Sequence, residues 1–365
     1  MECLPTPILT TIDKEHRPLK VDELHQLLDD LVSKVYEFET GYVNSFIEKK
    51  EYDKYLKYVN IGPQPKVVIA PYFMLKKQSK ENGSEYLQLN KECLQKFVMH
   101  CSEKKNVYPI AAQLVMDKEV LLNRNLISQI KETYDVSGYE YIFIWISDFS
   151  TFDCSHEEKE AFYTLIDVLN QMGKKPLMAY GGYDAILLSR NQMKARLYGT
   201  AQSVGYGEAR AITPVGGGLP VNKYYFGPLH KRMRFDEALN ILMNAGYFDD
   251  KKSNKEHAED YYLKICNCKT CNDIIKDDID NFKVYNDSTP YVVKARYGNI
   301  NRNRPTMEAT LVAAFHFLHC KNNEWLELEE NELSVLIEKL IENFRLYGNN
   351  KELLNIEEWC EVFGK

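Results

Sequence analysis

Three cysteines within six residues constrain this chain more than any other feature of its sequence. Cys266, Cys268 and Cys271 form the pattern CxCxxC in the hexapeptide Cys-Asn-Cys-Lys-Thr-Cys. Thiolates at this spacing converge on one ion only if the backbone turns tightly around it, and Zn²⁺ prefers four tetrahedral nitrogen and sulfur ligands. The motif therefore predicts a structural zinc site that is built on these three cysteines and needs a fourth ligand.

The fourth ligand is expected from the segment Ala-Phe-His-Phe-Leu-His-Cys, residues 314–320, which has a helical pattern. His316 and His319 are the best candidates, with His316 preferred, and Cys320 is a weaker third choice. Four protein ligands close the coordination shell, so the predicted role of the ion is structural. The alternative is that the three cysteines are unrelated and that the two histidines lie on the surface.

Composition and cysteine usage indicate a cytoplasmic protein. Nine cysteines, an odd number with three in one hexapeptide, do not resemble a disulfide framework. No run of about 18 apolar residues predicts a membrane span, and the first residues lack the pattern of a secretory signal. The net charge of −7 gives no global basic field that would attract nucleic acid, although a locally basic face is compatible with it.

Apolar, β-branched and aromatic runs alternate with helical patterns along most of the chain. This alternation predicts a largely parallel sheet with helices between its strands, and 365 residues suffice for a TIM-type barrel with additions. The expected fold class is therefore α/β, a (β/α)8 barrel, with a doubly wound open sheet as the alternative. The eight predicted strands are residues 6–11, 66–75, 106–115, 139–147, 175–180, 196–205, 222–226 and 246–248.

Helical periodicity and a change of character after residue 265 suggest the domain organisation. The clearest helical patterns are residues 21–38, 157–172 and 235–246, the last of which ends with Gly246 at a C-cap. We expect a (β/α)8 barrel with an N-terminal helical segment over residues 1–265, a zinc-binding subdomain over 266–320, and a C-terminal helical segment over 321–365.

A barrel followed by CxCxxC and then by a histidine on a helix resembles the tRNA-guanine transglycosylase family, including its archaeosine and DNA 7-deazaguanine branches. The resemblance covers about residues 66–320. The H-x-L motif at residues 316–318 resembles the zinc histidine segment of the family, and Val204-Gly205-Tyr206-Gly207-Glu208 is similar to its Gly-rich strand end. Between Cys271 and His316 this chain has extra residues, roughly 272–305.

The resemblance implies an enzyme that acts on a guanine or 7-deazaguanine base in tRNA or DNA through a carboxylate nucleophile. Phe248-Asp249 resembles the Phe-Asp of the family, which makes Asp249 the predicted nucleophile, and Asp250 fits the same alignment. A pocket for a flipped base requires its binding groups at the carboxyl ends of barrel strands. The predicted substrate-binding residues are Asp148, Tyr180, Gly181, Gly207 and Glu208, of which Asp148 and Glu208 would read the base.

One element of the family has no counterpart here. The strand that aligns with its Asp-Ser-Gly-Gly-Phe reads Val68-Ile69-Ala70-Pro71-Tyr72-Phe73, which contains no carboxylate. This favours a second function, a non-catalytic barrel that acts as a binding or partner subunit. A third is an enzyme of a free nucleoside or base. The structural alternative for Asp148 is a helix cap. For Gly181 it is a strand-to-helix turn.

The expected binding partners are inferred from the family resemblance and from local basic charge. Family members often pair through the zinc region, which implies a homodimer or a heteromer with a related chain. The candidates for contacts with phosphates of tRNA or DNA are basic side chains, for which a solvated surface is the alternative role. They are Lys231, Arg232, Arg234, Lys294, Arg296, Arg302 and Arg304.

Overall fold

The chain forms two compact units in a computed structural model, which describes residues 21–47, 66–76, 82–150, 152–201, 221, 223–295 and 298–363. The first unit comprises residues 1–148, 157–179 and 194–199, and the second comprises residues 149–156, 180–193 and 200–365. The predicted strand at 6–11 and the predicted binding residues Gly207 and Glu208 lie outside the described residues.

Strands and helices alternate through the first half of the chain. Their order is α1 (Val21–Ile47), β1 (Val68–Ile69), α2 (Asn82–Glu103), β2 (Ile110–Asp117), a 3₁₀ turn (Lys118–Val120), α3 (Arg124–Tyr134), β3 (Tyr141–Ser147), α4 (His156–Gln171) and β4 (Lys175–Ala179). A parallel sheet of five strands has the order β1-β2-β3-β4-β5, where β5 is Thr200–Ala201. The α/β class and the parallel sheet are confirmed.

The central strands are apolar, and one face of β3 is fully buried, whereas the alternating residues Tyr141, Phe143 and Trp145 on its other face are half-buried. In β3, Ile142 and Ile144 are completely buried, and the register with β2 runs from Ala111↔Tyr141 to Asp117↔Ser147. Helices supply the cover, with Phe97 of α2 and Phe162 of α4 also completely buried. Continuous apolar strands of this kind are typical of parallel sheets.

The second half of the chain contains two antiparallel hairpins and a series of helices. The elements are α5 (Tyr183–Leu187), β6 (Lys223–Phe226), a 3₁₀ turn (Gly227–Leu229), β7 (Lys231–Arg234), α6 (Phe235–Asn244), α7 (Asn254–Lys264), α8 (Lys269–Ile275), a 3₁₀ segment (Ile279–Asn286), β8 (Ser288–Ala295), β9 (Gly298–Pro305), α9 (Met307–Glu330), α10 (Leu333–Tyr347) and α11 (Asn350–Phe363). Strand β6 pairs with β7, and β8 pairs with β9.

The strand predicted at 222–226 exists but does not join a parallel sheet. It pairs antiparallel with β7, from Lys223↔Arg234 to Phe226↔Lys231. The 3₁₀ turn between them ends at His230, whose left-handed backbone (φ 48°) reverses the chain. A parallel partner requires a crossover of a dozen or more residues, and this connection is far shorter. Eight parallel strands are therefore not found in the part of the chain that the structure describes.

The strand predicted at 246–248 is wrong, because these residues form a helix end. Helix α6 stops at Asn244, and Gly246 has the left-handed φ of 83° that a C-terminal cap requires. The backbone N–H of Gly246 donates to Met243 O at 3.0 Å, and that of Tyr247 donates to Leu242 O at 3.0 Å. The predicted C-cap glycine is thus confirmed, and buried Tyr247 packs as part of the cap.

Long helices dominate the end of the chain. Helix α9 confirms the helix predicted around residues 314–320, and it continues through residue 320, where a domain limit was expected. The limits at 265 and 320 stay predictions. Among the helices that the structure describes, none has the length and apolarity needed to cross a membrane.

The side chain of Asn90 is expected to contribute to the stability of the first unit. This buried side chain donates to Phe73 O at 2.9 Å and accepts from Phe73 N at 2.7 Å. It therefore supplies hydrogen-bond partners to the backbone of an irregular segment after β1. Asn90→Ala leaves two backbone groups buried without partners and should lower the free energy of unfolding by about 2–4 kcal/mol. Gln88→Ala, a change of an exposed amide on the same helix, should change it by less than about 0.5 kcal/mol. Equal urea midpoints for the two variants would contradict the role of Asn90.

Candidate metal centre

Four side chains with metal-binding atoms meet in the second unit. The ligand atoms of Cys266, Cys268, His316 and Cys320 all lie within 4.8 Å of one another, and we call these residues the Cys/His cluster. His316 is completely buried, and Cys268 and Cys320 are buried, whereas Cys266 is half-buried. A Cys₃His set of this kind can hold a metal ion.

The distances within the cluster fit a tetrahedral site. Nδ1 of His316 is 3.4 Å from Sγ of Cys268, 3.7 Å from Sγ of Cys320 and 4.0 Å from Sγ of Cys266. The sulfur atoms of Cys266 and Cys320 are 3.7 Å apart. Tetrahedral Zn–S bonds of about 2.3 Å place neighbouring sulfur atoms about 3.8 Å apart. The donor set and its spacing therefore match zinc.

The CxCxxC segment owes its shape to N–H···S hydrogen bonds. The backbone N–H of Cys268 points to Sγ of Cys266 at 3.5 Å, and that of Cys271 points to Sγ of Cys268 at 3.5 Å. Cys268 is also the N-cap of α8. These bonds place partial positive charge beside sulfur atoms that become thiolates when they bind a metal.

His316 is oriented for coordination through Nδ1. Its Nε2 lies 2.7 Å from the backbone oxygen of Tyr225. A carbonyl oxygen can only accept a hydrogen bond, so Nε2 carries the proton. Nδ1 is then left unprotonated in the neutral ring, facing the three sulfur atoms. A hydrogen bond from the second ring nitrogen to a carbonyl is the usual way in which proteins fix the tautomer of a metal-bound histidine.

The structure separates the candidates for the fourth ligand. His316 belongs to the cluster, whereas Nδ1 of His319 is 2.8 Å from Oγ1 of Thr270 and is engaged there. Cys320, the weaker candidate, is a cluster member. The signal for it was present in the sequence, because residues four apart on a helix lie on one face and Cys320 is four residues after His316.

Cys271, predicted as the third thiolate of the motif, lies beside the cluster and outside the group of four. Its Sγ is 3.4 Å from Nδ1 of His316. Two buried tyrosine hydroxyls also contact that sulfur, Tyr261 at 3.2 Å and Tyr285 at 3.3 Å. A four-coordinate ion would take four of these five groups, so Cys271 stays a predicted ligand in competition with Cys320.

The thiols of the cluster form hydrogen bonds with one another, and the resulting pKa shifts favour the binding of a cation. Hydrogen bonds from neighbouring thiols, that of Cys266 first, hold the pKa of Cys268 well below its ordinary value. Hydrogen bonds to Cys268 and Cys271 raise the pKa of Cys266. Burial alone lowers the pKa of His316, but the charges of Cys320 and Cys271 outweigh it and raise that pKa well above its ordinary value. Negative charge on the sulfur atoms thus holds a proton within the cluster. A bound dication would replace that proton.

A buried ionic network supports Tyr225, the acceptor of the His316 bond. The Tyr225 hydroxyl donates to Glu324 and accepts from Nζ of Lys321 at 2.7 Å. Glu324 also binds Nδ1 of His230 at 2.7 Å and Lys321 at 3.0 Å. Burial alone would raise the pKa of Glu324, but Lys321 and His230 lower it to about 2. A buried carboxylate survives only when paired in this way, and sequence reasoning did not find this network.

A cleft of 260 Å³ opens beside one side of the cluster, and Cys266 and Cys320 contribute to its wall. Glu324 and His230 contribute to the same wall, together with polar residues that include Asn267 and Asn323. Solvent can therefore approach the cluster at its half-buried member, Cys266.

Asp249, the predicted nucleophile, lies in the turn after α6. Its side chain is 34% exposed; Oδ1 accepts from the backbone N–H of Lys251 at 3.0 Å and lies 3.5 Å from Nε2 of His257. The Lys251 N–H, aided by the charges of Lys251 and His257, lowers the pKa of Asp249. Among the described residues, Lys251 and His257 are its polar partners, and Asp250 is exposed.

Asp148 and Tyr180 each follow a strand directly, and Gly181 comes one residue after Tyr180. Asp148 is exposed after β3 and has a left-handed backbone (φ 54°), and it lies well before the first residue of α4, so it does not cap that helix. Tyr180 has a left-handed φ of 59° after β4, and the N–H of buried Gly181 donates to Oγ1 of Thr200 at 3.2 Å. Left-handed non-glycine residues are uncommon and concentrate at functional positions.

Comparison with known proteins gives no match: no protein-family model, no curated protein and no solved structure is similar to this chain.

His316 and His319 form a matched pair for a test of the centre. His316→Ala should reduce bound zinc from about one equivalent per chain to almost none and destabilise the second unit by several kcal/mol. His319→Ala, three residues further along the same helix, should retain the metal. Elemental analysis and thermal unfolding of both variants measure this, and equal zinc contents would show that the cluster is not the site.

Cys320 and Cys271 form a second pair. Because Cys320 belongs to the cluster and Cys271 has tyrosine partners, Cys320→Ser should release zinc to a colorimetric chelator at least about tenfold faster than Cys271→Ser. Both serine variants preserve side-chain size, so packing changes little. Faster release from Cys271→Ser would assign the third thiolate to the CxCxxC motif alone.

Proposed function

We propose that this protein is a zinc-stabilised, transglycosylase-like enzyme that acts on a guanine or 7-deazaguanine base in nucleic acid. The observation that carries the proposal is the Cys/His cluster, in which the CxCxxC segment meets the helix of His316. These are two of the motifs through which the sequence resembles the transglycosylase family.

The ion would be structural zinc held by four protein groups. Three thiolates and one imidazole nitrogen form a closed shell that leaves no position for substrate. Burial of His316 and its bond to Tyr225 O support a site that holds the chain in place. Zinc bound here would join α8 to α9 and thereby shape the part of the chain between them.

Asp249 would be the nucleophile that holds the ribosyl carbon while one base leaves and another enters. A nucleophilic carboxylate must be ionised, and the backbone N–H of Lys251, aided by the charge of the Lys251 side chain, lowers the pKa of Asp249. One third exposure leaves the carboxylate accessible. Asp148 would accept hydrogen bonds from the N–H edge of the base, and its exposure at a strand end supports that role.

The second candidate function is a non-catalytic binding or partner subunit. Its support is that Asp249 already serves the local structure, since its carboxylate closes the turn to Lys251. The strand at residues 68–73, which aligns with the first catalytic element of the family, contains no carboxylate. In this function the zinc centre remains, and a related chain supplies the chemistry.

Exchange of labelled guanine into tRNA and into DNA distinguishes the two candidates. Under the enzyme proposal, zinc-loaded protein should incorporate label, and Asp249→Ala should reduce the rate by about a thousandfold or more, because removing a nucleophile abolishes the covalent step. Asp250→Ala removes the neighbouring exposed carboxylate that fits the same alignment; it should retain the rate, and a loss of rate there instead would assign the nucleophile to Asp250.

Two results would overturn this mechanism. Undiminished exchange by Asp249→Ala would remove the proposed nucleophile. No exchange by the unaltered protein, together with co-purification of a second transglycosylase-like chain, would establish the partner function instead.

A further inference from the structure

The hairpin of β8 and β9 is an exposed two-stranded ribbon. Each strand has eight residues, which gives a length of about 27 Å. The strands pack chiefly against each other, and almost all of β9 is exposed. Apolar side chains are exposed as well: Tyr291 is 41%, Val292 52% and Ile300 42% accessible. An isolated hairpin is at best marginally stable in water, so an exposed ribbon of this length indicates a partner.

The register assigns different chemistry to the two faces of the ribbon. Directly opposed residues share a face, so one face carries Tyr291 opposite Arg302 and Thr289 opposite Arg304. The Arg304 guanidinium lies over the Tyr291 ring, 5.1 Å from its centre. The alternating residues of β9, which are Asn299, Asn301 and Asn303, occupy the other face, and all three are exposed.

The charge of the ribbon contrasts with that of the whole chain. Strands β8 and β9 contain Lys294, Arg302 and Arg304 and no acidic residue, although the protein carries a net charge of −7. Exposed arginines on a strand pair that contains no acidic residue attract a polyanion, even though the net charge of the whole protein is negative.

We propose that the β8–β9 ribbon enters the major groove of duplex DNA. The major groove of B-form DNA is about 12 Å wide and admits a two-stranded ribbon, whereas the major groove of duplex RNA is too narrow for side chains to read. Arginine pairs with guanine and with phosphates, and asparagine pairs with adenine, so both faces of the ribbon carry groups that bind DNA. This inference rests on the proposed function only in taking nucleic acid as the partner, and it narrows that partner to DNA.

The segments on both sides of the ribbon lead to the region of the metal centre. Before β8, Tyr285 contacts Sγ of Cys271 at 3.3 Å, and after β9 the helix that carries His316 begins. Thr306 N donates to Asp287 O at 2.9 Å and closes the base of the hairpin. The ribbon lies within the extra residues between Cys271 and His316, so the cluster would fix the position from which it extends.

Fluorescence anisotropy with the full zinc-loaded chain tests the proposal. The probes are a labelled DNA duplex of about 24 base pairs and an RNA duplex of the same sequence, each titrated between about 50 and 200 mM salt. The double variant R302A/R304A should bind DNA at least about tenfold more weakly, and the salt dependence of log K should decrease in slope by about two. K104A/K255A removes two exposed lysine charges outside the ribbon and should stay within about twofold of the parent.

Several results would overturn the assignment to DNA. One is equal DNA binding by R302A/R304A and K104A/K255A when both contain zinc and give the parent circular dichroism spectrum. Another is duplex RNA bound as tightly as DNA with the same dependence on the two arginines. A third is a change of oligomeric state in R302A/R304A with unchanged DNA binding, which would make the ribbon a contact between copies of the chain. Failure of guanine exchange alone would contradict the proposed activity and leave ribbon-dependent DNA binding intact.

Discussion

The Cys/His cluster joins two segments that are distant in sequence, and the arrangement of the second unit depends on this junction. Cys266 and His316 are 50 residues apart, and Cys266 and Cys320 are 54 residues apart. Apolar packing accompanies the junction: Tyr224 stacks on the His316 ring with 4.5 Å between the ring centres, and Cys266 packs against Tyr225, Phe317 and Cys320. Closing a loop of this length costs several kcal/mol of chain entropy. Structural zinc sites contribute on the order of 10 kcal/mol, which exceeds that cost.

The junction also explains why polar groups are buried around it. Tyr225 accepts the Nε2 proton of His316 through its backbone, and its hydroxyl is held by Glu324 and Lys321. This network positions the imidazole, and the imidazole positions the proposed ion. The same helix, α9, carries His316, Cys320 and Glu324, so one helix supplies both ligands and their support. The β8–β9 ribbon is connected to this region at both ends, because Tyr285 before β8 contacts Cys271 and α9 follows β9 directly.

Sequence reasoning was successful where one local pattern determines the structure. Alternating strands and helices predicted the parallel sheet, and Gly246 predicted the end of α6, because period and caps are local properties. The CxCxxC motif and His316 predicted a centre at the place where Cys266, Cys268 and His316 meet, but the cluster contains Cys320 in place of the predicted Cys271. The spacing of Cys320, four residues after His316 on the same helix face, was the local signal for it. The antiparallel pairing of β6 was missed because the turn at 227–230 depends on the left-handed backbone of His230, which is not a residue that sequence patterns associate with reversal. The roles of Asp148, Tyr180, Gly181 and Asp249 stay predictions.

X-ray absorption at the zinc edge of the purified, unaltered protein is the sharpest test of the Cys/His cluster as a metal centre, because it reports the ligands of the ion without any substitution. We expect about one zinc per chain with three sulfur neighbours near 2.3 Å and one nitrogen neighbour near 2.0–2.1 Å that shows the scattering pattern of an imidazole ring. A shell of oxygen atoms, a shell of four sulfur atoms without imidazole, or protein that folds to the same stability with no zinc would contradict it.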